Sequence, residues 1–95
     1  MKQRVVITAA SVPSLPRGVK LRFDKARDIW VLLGPERIFN PDPIALEILK
    51  RCDGSATVEE IVDDLAATFQ ADREVIERDV IALLQDLADK GIMAG

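Results

Sequence analysis

Two acidic pairs one helical turn apart, Glu59-Glu60 and Asp63-Asp64, a single cysteine, Cys52, and a single tryptophan, Trp30, are the residues whose types and spacing could do chemistry. Neighbouring carboxylates can share acid and base roles when one is held protonated. These four fall between apolar residues recurring at Val58, Ile61, Val62 and Leu65, which puts them on the polar side of one helix, where they solvate the surface. Cys52 occupies an apolar slot and reads as a small core residue rather than a nucleophile. Trp30 could stack on a base or an aromatic ligand, but it stands in a hydrophobic strand, where core is the commoner role. The chain has no histidine, no Gly-rich phosphate loop and no Ser or Cys in a nucleophile motif. No catalytic residues, no metal site and no cofactor are therefore expected.

The elements that position these groups belong to one domain. Ninety-five residues, 48% apolar and 31% charged, suit a single folded module, and no segment is long and apolar enough to enter a membrane. The apolar patch at Val5 to Ala10 is shorter than the hydrophobic region of a secretory signal, and one cysteine cannot form an internal disulfide, so a reducing cytoplasm is the expected setting. Charge divides unevenly, with a net +5 over residues 1 to 40 and −8 over residues 41 to 95.

Residues 1–18 combine a β-prone stretch with Pro13, Pro16 and Gly18 and are expected to form a flexible or exchanged arm; residues 19–95 form the domain. Val19, Leu21 and Phe23 alternate with charged residues, the period of a half-buried strand. The polar run 24–28 predicts a loop built on a type I turn, leading to a second strand over Ile29 to Leu33 whose continuous apolarity suits cover on both faces. Gly34 and Pro35 break it, and Arg37 to Asn40 form a third strand. Asp42 caps a first helix with Pro43 in its first turn and Ile44, Ala45, Ile48, Leu49 and Cys52 on its core face; Gly54 ends it. Thr57 and Glu60 form a capping box for a second helix, whose stripe runs Val58, Ile61, Val62, Leu65, Phe69. Asp72 caps a third, buried through Ile76, Val80, Leu83, Leu84 and Leu87 and closed by Gly91. The expected fold is α+β and winged-helix-like: a three-stranded antiparallel sheet followed by three helices on one face.

Two binding functions follow from that order. Winged-helix DNA-binding regulators share these elements, but the third helix carries Arg73, Arg78 and Lys90 against five acidic residues, the wrong sign for phosphate contact. The second starts from the third strand, which no later strand can cover. A free edge is either guarded or used, and addition of an extended peptide is a recurrent use. On the third helix Ile81 lies about 120° from the centre of the buried stripe at ~100° per residue, so Ile81 with Arg78 and Gln85 could wall a groove beside that edge. Val75, Asp79 and Ala82 on the opposite flank are the other candidate wall.

The motifs R-G-V-K-L-R-F-D-x-x-R-x-x-W-V-L-L-x-P-E-R-I, A-x-x-I-L-x-x-C-D-G, V-x-x-I-V-D-x-L and D-V-x-x-L-L-x-D-L-x-x-K-G, spread over residues 17 to 92, resemble the PqqD family of pyrroloquinoline quinone biosynthesis. The resemblance implies a non-enzymatic peptide chaperone, a RiPP recognition element, that binds the precursor peptide PqqA and presents it to the radical-SAM enzyme PqqE. It places the peptide between the third strand and the third helix, which in this chain means Glu36, Arg37, Ile38, Phe39 and Asn40 facing a flank of the helix. A monomer and an arm-exchanged homodimer are both allowed.

Overall fold

The computed structural model describes residues 4 to 95, so the first three residues of the expected arm lie outside it. Its elements are β1 (Lys20–Asp24), β2 (Ile29–Gly34), β3 (Arg37–Phe39), α1 (Pro43–Lys50), α2 (Val58–Phe69) and α3 (Arg73–Asp89). The strands make one antiparallel meander in the order β1-β2-β3. Register pairs Leu21 with Leu32 and Leu32 with Phe39, so these three share the face that meets the helices. The other face carries Lys20, Arg22, Leu33 and Ile38.

Local signals account for most boundaries. Asp24 accepts hydrogen bonds from the Ala26 and Arg27 amides, which folds the four-residue β1–β2 loop, and Asp28 takes the left-handed backbone, φ 57°, that an Asp tolerates. The β2–β3 turn is tighter. Pro35 sets its first central position and Glu36, at φ 59°, takes the second, where a type II turn needs positive φ. The side chains of Asp42, Thr57 and Asp72 accept from the amides of Ala45, Glu60 and Glu74, capping α1, α2 and α3, and Glu60 closes the capping box on the Thr57 amide. After α3 the Ile92 amide bonds to the Leu87 carbonyl and the Gly91 amide to the Ala88 carbonyl, the Schellman pattern, with Gly91 at φ 76°.

The core is a single cluster between the inner sheet face and the helices, built on Leu32, Ile48, Leu49, Ile61, Val62, Val80 and Leu84. Cys52 sits within it, its thiol donating to the Ile48 carbonyl, and burial, with a smaller push from the Asp53 charge, raises its pKa to about 12.

Four expectations change. Strand β2 has helices on one face only: Val31, on the other, is 6% exposed and lines a depression together with Arg22, Lys25 and Arg27 rather than meeting a second layer. Helix α1 stops at Lys50, before Cys52; Arg51 and Cys52 continue as tight turns bonded to the Ile48 and Leu49 carbonyls, and Gly54 takes its positive φ only after them. Ile44 and Phe69, assigned to the core faces of α1 and α2, are 66% and 54% exposed. Ile81, placed well off the buried stripe of the third helix, packs partly buried against the core.

Residues 4 to 18 pack on their own chain. Ile7 enters the core, the Ser11 and Ala9 carbonyls accept from the Val58 and Glu59 amides at the start of α2, and Ser14 bridges Ala94 near the chain's end. These bonds satisfy helix-start amides that have no partner within α2. Among the described residues no helix is long and apolar enough to cross a membrane.

Candidate functional site

Strand β3 pairs with β2 alone among the described residues, so its outer edge has no backbone partner. The two-residue turn closes on the Gly34–Arg37 pair, and bonded pairs alternate along an antiparallel ladder, so Ile38 stands opposite Leu33 at a position whose N–H and C=O point away from β2. Its side chain is 68% exposed on the outer sheet face. Glu36 and Arg37 are exposed at the turn, and Asn40 is exposed where the strand ends. Phe39 turns inward, half-buried, with the Lys90 ammonium 5.9 Å from its ring centroid.

Between this edge and α3 lies a depression of about 240 Å³, lined among others by Phe39, Asn40, Leu83, Asp86 and Lys90, with Asp42 and Ala45 of the α1 start at its lower end. The helix flank that meets β3 therefore runs through Leu83, Asp86, Leu87 and Lys90. Ile81 and Leu83 point about 200° apart at ~100° per residue, so Ile81 belongs to the far side of α3. There the arm is seated: Gln85 Oε1 accepts from the Ile7 amide at 2.9 Å, Gln85 Nε2 donates to the Val5 carbonyl at 2.8 Å, and Arg4 forms a two-pronged pair with Asp89 at 2.9 Å. Arg4 holds the Asp89 carboxyl below its ordinary range.

The structure thus brings Phe39 and Asn40 together with α3, keeps Glu36, Arg37 and Ile38 along the free edge, and leaves Arg78, Ile81 and Gln85 off the cleft. On the other candidate wall, Asp79 borders the next depression down, Val75 lies further along it, and Ala82 is exposed. The depression is also lined by residues not named as candidates from the sequence, Asp86 and Lys90, and by Leu83, which had been assigned to the buried face alone. Leu83, Leu87 and Lys90 recur at i, i+4 and i+7, a signal of one flank, though not of which flank faces the strand.

The electrostatics of α3 do not favour nucleic acid. Arg73 is held by Asp63 and Glu77 and Lys90 by Asp86, so Arg78 is the α3 cation without an ion pair among the described residues. No group of three or more His, Cys, Asp or Glu able to hold a metal ion occurs among them either.

Comparison with known proteins places the chain in a family. The family model described as coenzyme PQQ synthesis protein D (PqqD) matches residues 30–93. A protein of Rhodopseudomonas palustris strain BisB5 named PqqA binding protein is 53% identical over 91 residues, covering 96% of this chain and 89% of that protein. The solution NMR structure of the PqqD truncation of Methylobacterium extorquens PqqCD, described as a functional and stand-alone RiPP recognition element, is similar with a TM-score of 0.80 and 43% identity over 95% of this chain and 96% of that one. The crystal structure of PqqD from Xanthomonas campestris matches with a TM-score of 0.57 and 46% identity over 90% and 96% of the two chains. On both sequence and fold, this chain belongs to the PqqD family.

Proposed function

We propose that the chain is a non-catalytic chaperone of pyrroloquinoline quinone biosynthesis that binds the PqqA precursor peptide by strand addition to β3 and presents it to PqqE. The observation that carries this reading is the unpaired outer edge of β3 lying beside the α3 flank of Leu83, Asp86 and Lys90. Edge donors and acceptors supply about 0.5–1.5 kcal/mol net per hydrogen bond, which must offset the entropy of ordering the peptide, so side-chain contacts along α3 share the work. Phe39 offers an apolar floor, and the Asp86–Lys90 ion pair offers polar groups at the rim to fix register. The names borne by relatives at about half identity point to the same ligand.

The test is an amide chemical-shift map during titration with PqqA, paired with the variant Ile38→Pro. That substitution removes an outward donor and leaves the Gly34–Arg37 and Leu32–Phe39 pairs of the β2–β3 ladder intact. The expected result is loss of peptide capture by a folded variant, with wild-type shifts centred on residues 36 to 40. Unchanged affinity in folded Ile38→Pro would remove strand pairing from the reading. Adding PqqE to the labelled complex then checks presentation: a ternary complex is expected, and its absence would confine the function to peptide binding.

A further inference from the structure

The depression beside β3 does not end at the strand. It shares Asp42, Ala45 and Leu83 with a second hollow, and that hollow shares Ile44, Ile48 and Asp79 with a third. The third, of about 300 Å³, is closed by α1, α2 and α3 and is apolar around its rim: Ile44, Phe69 and Val75 are 66%, 54% and 49% exposed. All three are large side chains left in water, and two of them continue apolar stripes that bury normally elsewhere. Their floor is core, formed by Ile48, Leu65 and Val80. A hollow of that size is small for a cofactor and suits one or two side chains.

We propose that this hollow is a second, specificity-determining subsite for the same peptide, taking an aliphatic or aromatic side chain from the residues that continue beyond the strand paired with β3. The proposal rests on the strand-addition reading. Continuity of the groove identifies the occupant, because a peptide leaving the Asn40 end of β3 enters the passage between Asp42 and Asp79 and meets the hollow next. The reach is short. From Val75 to Lys90 the helix rises ~1.5 Å per residue, roughly 22 Å in all, which an extended peptide at ~3.3 Å per residue spans in about seven residues. Carboxylates edge the passage at Asp42 and Asp79, so the linking residues are expected to be neutral or cationic. The chain's own arm is not available for the role, since it is docked on the far side of α3 at Gln85 and Asp89.

The experiment titrates PqqA into the wild type, Phe69→Ala, Ile44→Ser/Phe69→Ala, and Val75→Trp, reading affinity by calorimetry and β3 amides by NMR. Removal variants act on side chains more than half exposed, which leaves the interior intact, and the tryptophan fills the hollow without making it polar. Each is expected to weaken binding by about tenfold or more, the effect of losing one well-seated anchor, while the β3 amides still shift at saturation. Alanine replacement of one apolar residue of the peptide is expected to cost affinity on the wild type and nothing further on Phe69→Ala. Affinity within about twofold of wild type in all variants, with β3 shifts preserved, overturns the subsite and leaves strand addition standing. Silent β3 amides in the wild type overturn both. Shifts at Phe69 and Val75 on concentrating the protein without peptide assign the hollow to a second copy of the chain and also overturn the proposal.

Discussion

Gln85 holds the arm by standing in for a neighbouring strand. One side chain accepts from the Ile7 amide and donates to the Val5 carbonyl, with a further bond from the same nitrogen to Asp89 Oδ1 at 3.0 Å. Gln85→Ala removes both backbone bonds at once. At about 0.5–1.5 kcal/mol net for each, the local docking free energy falls by about 1–3 kcal/mol, roughly a 5- to 150-fold increase in the open population of residues 4 to 7. Opening stops there, because Ala9 and Ser11 remain bonded to the first amides of α2. Native-state amide exchange should therefore show faster exchange at Ile7 and unchanged protection at Thr8, whose amide is held by Ser11 Oγ, and at Val58 and Glu59, and trypsin should cut after Arg4 sooner. Gln85→Glu keeps the acceptor for Ile7 but loses the donor to Val5 and sets a carboxylate near Asp89, so its effect should fall between the two. Repeating the measurement over a wide range of protein concentration checks that the docking is intrachain, as protection should not change on dilution. Wild-type protection at Ile7 and wild-type cleavage in folded Gln85→Ala would refute the assignment of arm docking to these two bonds.

Glu36 holds a left-handed backbone at the second central position of its turn, so Glu36→Gly should raise stability by about 0.5–1 kcal/mol in urea denaturation; a loss would mean the Glu36 side chain has a role the turn does not explain. Burial raises the Cys52 thiol from 9.0 to about 12, so the unfolded chain ionises first and stability should be full below pH 9 and fall between pH 9 and 12, by at most about 1.4 kcal/mol per unit. Cys52→Ala should lose that alkaline slope, and native Cys52 should react with thiol reagents only through unfolding; rapid labelling at neutral pH would contradict its burial.

Elements were legible wherever one residue settles a local choice. Asp42, Thr57 with Glu60, Asp72 and Gly91 announce helix ends because a cap is a contact within one turn of chain. The free edge of β3 was legible for a topological reason: a strand followed only by helices has no later strand to pair with. Tertiary geometry was legible only where periodicity leaves one solution. Continuous apolarity in β2 signalled cover on both faces, but the outer face around Val31 is a depression it shares with basic residues of β1 and the hairpin loop, an arrangement that no strand pattern encodes.

The flank of α3 that borders β3 is the feature the sequence left undetermined. Angular offset from the buried stripe shows that a residue is lateral, but left and right are equivalent until the helix is crossed over the sheet and the arm is placed. That placement depends on contacts far apart in sequence, Ile7 with Gln85 and Arg4 with Asp89, made by a segment that looks mobile when read alone. Once the arm covers one side, the other is the side left open to β3, and Leu83 and Lys90 become the wall. The same reasoning explains Ile44 and Phe69, which continue their stripes correctly but stand at the rim of a hollow between the three helices. An apolar stripe that outruns its neighbours marks either a chain end that has frayed or a surface kept for something else. Here both residues border one hollow joined to the strand cleft, a convergence that fraying does not produce.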